Sequence, residues 1–153
     1  MRHQLIRHGH GSRTWSIVLD RGEEVTTCLQ EFARREVLGT TRFTATGALQ
    51  DAVLGFLESN KRYYRRNALD HPTQVVSLAG DIAWHHGKQR IRMRAVLGDD
   101  EYALFDGYLL EGHVRQTLEV IMTEAPVQLH KGYDADAGLA LHKQTADTQD
   151  TQW

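Results

Sequence analysis

One cysteine in 153 residues, Cys28, excludes an internal disulfide and leaves no sign of an oxidising compartment. Neither sign of charge is in excess: 18 Lys plus Arg stand against 20 Asp plus Glu, a formal net charge of -2. Attraction to a polyanion would have to come from a local patch. No apolar run approaches the roughly 20 residues that cross a bilayer. The opening MRHQLIRHGHGSR is polar throughout, unlike a secretory segment. A cytoplasmic protein with no membrane partner is expected. Nucleophile-elbow, P-loop and dinucleotide-loop patterns are also missing, and Ser77 or Thr46 beside scattered histidines makes no nucleophile–base pair. No enzyme is expected.

What is present is ordinary globular composition, 41% hydrophobic and 25% charged, in a length that suits one domain with one core. His3, His8 and His10 open the chain among arginines and glycines. Residues 1–12 are expected to be a flexible leader, because nothing in so Gly-rich a segment fixes a metal geometry. WSIVL from Trp15 has strand character, closed by a turn at Asp20-Arg21-Gly22. GEEVTTCLQEFARREVLG predicts a helix. Val25, Cys28, Leu29, Phe32 and Ala33 recur at three- and four-residue spacing as one apolar stripe. Glu23 and Glu24 lie where the helix dipole favours negative charge, and Gly39 is placed to end the helix in a left-handed conformation. Cys28, on the stripe, suits core filling better than nucleophilic chemistry.

After Gly39 the pattern changes to TTRFTATGAL and AVLGFLE, rich in Thr, Val, Phe and small residues, which favours strands with a Gly-marked bend. VVSLAGDIAWHHG leads through a turn at Gly87-Lys88 into QRIRMRAVLG. GYLLEGHVRQTLEVIMTEA is expected to begin as a loop or short helix and become a strand from Thr117 to Thr123. Residues 143–153 are polar and aperiodic and are expected to be disordered. One helix among five to seven strands, without regular βαβ alternation, gives an α+β class with a mainly antiparallel sheet.

These segments carry a resemblance. GEEV…L..FA, FTATGAL..AVLGF, VVSLAGDI, IRMRAVLGD and GYLLEGHV..TLEVIM occur in the order of the plants-and-prokaryotes conserved (PPC) domain family, over residues 13–142. The resemblance implies a single α+β domain with a strongly twisted, mainly antiparallel sheet flanked by helices, assembled as a homotrimer. It also implies a non-catalytic role as a candidate DNA-binding or regulatory factor. Plant members bind A·T-rich minor grooves through a joined AT-hook. That mode is not implied here, because no R-G-R-P core exists and Arg21-Gly22 is followed by Glu23 and Glu24. The family commonly carries a His-x-His pair on one strand and a Gly-Gly-His after it, which in some members bind zinc. This sequence has Arg92 and Arg94 at the pair and Tyr108 at the third position; Asp106 replaces the first glycine and Gly107 remains.

The substitution changes the chemistry. Alternate strand residues share a face, so Arg92 and Arg94 project together with Cα atoms about 6.5–7 Å apart. Guanidinium groups have donors but no acceptor, and Tyr108 replaces an imidazole poorly, so no metal and no cofactor is expected. Arg92, Arg94 and Tyr108, with Gly107, instead form a candidate pocket for a small anion, the alternative function. The competing account pairs both arginines with Asp99, Asp100, Glu101 or Asp106, or with a neighbouring subunit's carboxylate. His85 and His86, adjacent on a strand, are expected to face opposite ways, and His113 suits a core or interface histidine bonded to backbone.

DNA contact rests on NKRYYRRN, where Lys61, Arg62, Arg65 and Arg66 offer charge and Tyr63 and Tyr64 offer aromatic faces. If extended, it places Arg62, Tyr64 and Arg66 on one side and Lys61, Tyr63 and Arg65 on the other. The competing account is a solvated edge whose cations discourage edge-to-edge pairing. Trimer symmetry would repeat the patch three times.

Overall fold

Alternating burial shapes most of this chain. In the computed structural model, residues 1–59 and 63–126 are described, together with the backbone of 131–134 and 139–142. Strand β2 (Ser12–Asp20) buries Trp15, Ile17 and Leu19 and turns the residues between them outward. Helix α1 (Val25–Arg35) buries Val25, Leu29, Phe32 and Ala33 on one stripe, as its spacing predicts. Glu24 caps it, accepting from the backbone N–H groups of Thr26 (3.0 Å) and Thr27 (2.9 Å). The same carboxylate accepts from Gly112 N at 3.1 Å, which ties the helix start to the sheet. Gly39 does not end the helix; Val37 takes the left-handed conformation, with φ 51°. Leu38 N donates to Ala33 O across that bend, so local hydrogen bonding outweighs the usual preference for glycine.

The remaining strands are β3 (Thr41–Leu57), β4 (Tyr64–Leu69), β5 (Thr73–His85), β6 (Lys88–Gly98) and β7 (Leu104–Glu124). With β1 (Arg2–Gly9) they form one antiparallel sheet in the order β1-β2-β7-β6-β5-β3-β4. A short pair, β8 (Lys131–Asp134) and β9 (Leu139–His142), forms a second sheet. The chain is a single domain, mostly antiparallel sheet with one short helix among the described residues; the sheet flanked by helices that the resemblance implied is overstated.

Three local expectations need correction. The leader expected over residues 1–12 contains β1, an eight-residue strand paired with β2 through a turn in which His10 (φ 51°) and Gly11 (φ 72°) are left-handed. All eight of its residues are exposed, so it has no buried face and no hydrophobic alternation to announce it. The β5–β6 turn is centred on His86 and Gly87, one residue earlier than expected. Most consequential is β7, which runs as one 21-residue strand where a loop or short helix was expected before Thr117. Its buried positions switch phase, from Gly107 and Leu109 to Gly112 and Val114, and this break hides the strand from a simple period-two pattern. Residues 143–153 lie outside the described residues.

β3 and β7 hold the architecture together. β3 pairs with β5 and also with β7, from Thr41↔Glu124 to Gly55↔Tyr108, so β7, β6, β5 and β3 close on themselves. The closure needs close backbone approach. At Gly47 (φ +149°) a Cβ would lie 2.2 Å from Thr117 O and 2.9 Å from the Leu118 Cα. At Gly107 it would lie 2.9 Å from Gly55 O. The far end of the pairing is fastened by Glu124, which receives Arg13 Nε, Arg13 Nη2 at 3.3 Å and Gly39 N at 3.2 Å. Midway, His113 Nδ1 and Asp51 Oδ1 of the cross-strand pair stand 2.8 Å apart. That contact raises the His113 pKa above its ordinary value.

Two outcomes are expected. Gly47→Ala lowers stability by about 2 kcal/mol or more, since backbone atoms must move to admit the methyl group. Gly9→Ala, with open space around it, leaves the denaturant midpoint unchanged. An unchanged midpoint in Gly47→Ala would contradict the close approach. A raised folded pKa means that the His113–Asp51 contribution is fully present below the unfolded value near 6.5 and is lost as pH rises through the folded one. An NMR titration should therefore place the His113 midpoint above about 6.5, and Asp51→Asn should lower it.

Candidate functional site

The outer face of the sheet is set by the same alternation that fills the core. β6 gives Met93, Ala95 and Leu97 to the interior, which turns Arg92, Arg94 and Val96 outward. Register then decides their neighbours. Asp81 of β5 stands opposite Arg92, and Arg42 of β3 stands opposite Asp81. One step along, Arg94 lies between Ala79 of β5 and Tyr108 of β7. Tyr108 is opposite Gly55 of β3, and Gly55 is opposite Arg66 of β4. Two rows of side chains thus cross the sheet side by side.

Tyr108 is the hub of this face. The Cζ atoms of Arg92 and Arg94 lie 5.8 and 5.6 Å from its ring centroid. Such cation–π contacts contribute about 0.5–1 kcal/mol each at exposed sites. Tyr64 packs over Gly55, and its ring centroid lies 5.3 Å from that of Tyr108. Burial pushes the Tyr64 phenol pKa up. Arg94 also donates to Asp106 from Nε at 3.1 Å and Nη2 at 2.8 Å. This fork holds the Asp106 carboxyl below the usual carboxylate range. Both partners are more than half exposed, so the pair contributes only about 0–1 kcal/mol to stability and a competing anion can displace it.

A hollow of about 260 Å³ lies against Arg42, Asp81, Arg92, Arg94 and Tyr108. Three arginines line it with one aspartate; counting Asp106, which grips Arg94, leaves one positive charge in excess. The arginine groups can donate to a carboxylate or phosphate but cannot ligate a metal. Among the described residues no group of three or more His, Cys, Asp or Glu side chains could hold a metal ion. The zinc that the resemblance associates with these positions does not fit this donor set.

Several sequence-derived candidates sit differently from expectation. Gly107 is buried on the other face, where it serves the approach of β7 to β3 and does not line the hollow. Lys61 and Arg62 lie outside the described residues. Tyr63 is exposed, and Arg65 turns away from Tyr64 to lie over Phe56, 3.3 Å from Glu58. Arg66 faces with Tyr64 and donates to Glu111 at 3.1 Å. The alternation expected for an extended segment therefore holds from Tyr64 onward, and it puts Tyr64 and Arg66, two of the six nucleic-acid candidates, on the same side as the arginine pocket. His85 and His86 do not diverge; left-handed His86 brings the two rings to 4.2 Å. His113 bonds a carboxylate and not backbone. Burial pushes the Cys28 thiol pKa up, in keeping with core packing. Arg42 and Asp81 escaped notice because only long-range register brings them to the hollow.

The model of the Plants and Prokaryotes Conserved (PCC) domain matches residues 6–126. No curated protein sequence matches the chain. Solved structures that share the fold include the following three. A plant- and prokaryote-conserved protein from Pyrococcus horikoshii is 24% identical, with TM-score 0.78, covering 94% of this chain and 96% of its own. A candidate DNA-binding protein from Ralstonia eutropha is 23% identical, with TM-score 0.78, covering 86% of this chain and 91% of its own. A metal-containing protein from Archaeoglobus fulgidus is 22% identical, with TM-score 0.77, covering 94% of this chain and 97% of its own. The family match runs from within β1 to just past the end of β7 and so takes in every strand of the main sheet and the whole outer face; the chain belongs to the Plants and Prokaryotes Conserved domain family.

Proposed function

We propose that the chain is a non-enzymatic binding protein that acts as a homotrimer and holds a small, singly charged anion in the arginine-lined hollow. The observation that carries this is the convergence of Arg42, Arg92, Arg94 and Tyr108 on one concave patch with a single excess positive charge. Guanidinium forks suit a carboxylate or phosphate, and the Tyr108 ring offers a flat wall for the ligand's body. Trimerisation is supported by Phe56, Val76, Leu104 and Ile121, large apolar side chains that one protomer leaves exposed.

DNA is the second reading, favoured by the description of the Ralstonia eutropha neighbour and by the placement of Tyr64 against Tyr108, with Arg66 in the same row across Gly55. On this chain Arg65 and Arg66 already have carboxylate partners, Glu58 and Glu111. A phosphate backbone would have to displace them, so any DNA binding would be weak, insensitive to sequence and steeply salt-dependent.

Calorimetry with inorganic phosphate and with simple carboxylates is expected to give saturable binding. Arg92→Gln with Arg94→Gln should weaken it at least about tenfold, or about 1.4 kcal/mol. Full affinity in that double variant would contradict the assignment. Duplex DNA, if bound, should lose affinity when Lys61, Arg62, Arg65 and Arg66 are all changed to Ala; unchanged affinity would make the patch a solvated edge. Light scattering should give three times the chain mass at micromolar concentration, and a monomer mass would remove the trimer.

A further inference from the structure

A second cavity, of about 300 Å³, opens where the start of β5, the β6–β7 turn and the middle of β7 meet. His71, Thr73, Gln74, Asp99, Asp100 and Arg115 line it. None of these belongs to the arginine face described above. Its volume is at the low end of the roughly 300–1,000 Å³ of small-molecule sites, which limits the occupant to a small metabolite.

Two of its polar atoms are buried and make no hydrogen bond. Thr73 is 2% exposed, and its hydroxyl makes no hydrogen bond. His71 Nε2 is equally enclosed; it stands 3.5 Å from Asp99 Oδ2 without forming a hydrogen bond. The His71 ring is held edge-on against Phe105, at 5.6 Å between centroids. Buried polar groups left unsatisfied cost on the order of 1–3 kcal/mol each, and such groups in native structures mark an absent water, ion or ligand.

The charges indicate which occupant. Asp99 uses one oxygen to brace its own turn, accepting from Glu101 N at 3.0 Å and Ala103 N at 2.9 Å. Its other oxygen faces His71. Asp100 is exposed at the rim. Arg115 supplies the opposite sign, and among the described residues no carboxylate pairs with it. A purely anionic ligand would meet two aspartates, and a purely cationic one would meet Arg115. A molecule carrying both an ammonium and a carboxylate satisfies both walls.

We propose that this cavity binds a free α-amino acid, with its carboxylate on Arg115, its ammonium towards Asp99 and Asp100, and Thr73 and His71 supplying the buried hydrogen bonds. The site is separate from the arginine hollow, so either assignment can fail alone.

The test offers the free α-amino acids singly, at millimolar concentration, to the full chain and reads thermal melting and calorimetry. At least one free amino acid should raise the melting temperature, while its N-acetyl and C-amide derivatives, each lacking one charge, should not. Arg115→Gln and Asp100→Asn, both at exposed positions, should weaken binding at least about tenfold. Thr73→Val, which keeps the side-chain shape, should also weaken binding and leave the empty protein as stable as before or more so. Arg92→Gln should leave amino-acid binding unchanged. Absence of binding by every free amino acid, equal binding of the blocked derivatives, or full affinity in Arg115→Gln would overturn the proposal, and the cavity would then hold water alone.

Discussion

Everything on the outer face depends on β3 pairing with β7 along its length. Without it, Tyr108 would still sit beside Arg94, but Gly55, Tyr64 and Arg66 would have no reason to be near. The pairing is possible only because glycines stand where the two backbones approach most closely. A methyl group at Gly47 would overlap the Thr117 carbonyl oxygen, and one at Gly107 would press on that of Gly55. Glu124, fastened by Arg13 and the Gly39 N–H, and the His113–Asp51 contact secure the same seam at its end and middle. Removing one partner of a largely buried pair such as Arg13–Glu124 typically costs about 3–5 kcal/mol.

Much of this was legible in the sequence where periodicity was clean. The helix declared itself through Val25, Leu29, Phe32 and Ala33, and β2 through Trp15, Ile17 and Leu19, because each has one continuously buried stripe or face. Legibility failed where burial was absent or changed phase. β1 has no buried residue, and β7 shifts its buried set between Leu109 and Gly112. The end of the helix was misplaced because Val37, not glycine, adopts positive φ, where the local hydrogen bonds from Val37 N to Arg34 O and from Leu38 N to Ala33 O outweigh residue preference.

The site follows the same division. That Arg92 and Arg94 share a side is a two-residue matter, visible in QRIRMRAVLG. That they meet Tyr108 is a matter of β6–β7 register, and the family resemblance supplied it. Arg42 and Asp81 enter through β3–β5 and β5–β6 register, which no local pattern encodes. Nor could the sequence reveal how the cations are balanced. Asp106 and Glu111 each take an arginine, so a face that reads as strongly basic along the chain keeps little net charge. Those pairs are exposed and individually weak, which leaves them open to exchange for a ligand's carboxylate or phosphate. A small anion needs to displace few of them; a nucleic acid must displace many.

In the proposed function, register turns separate arginines into one receptor around Tyr108. The most direct measurement is an NMR titration of the arginine side-chain Nε–H signals and the tyrosine rings with inorganic phosphate. Arg42, Arg92, Arg94 and Tyr108 are expected to shift together along one saturating curve, while Arg2 and Arg35 scarcely move. Small, unsaturable shifts spread evenly over all arginines would show a surface that feels salt and holds no ligand, and would contradict the proposed receptor.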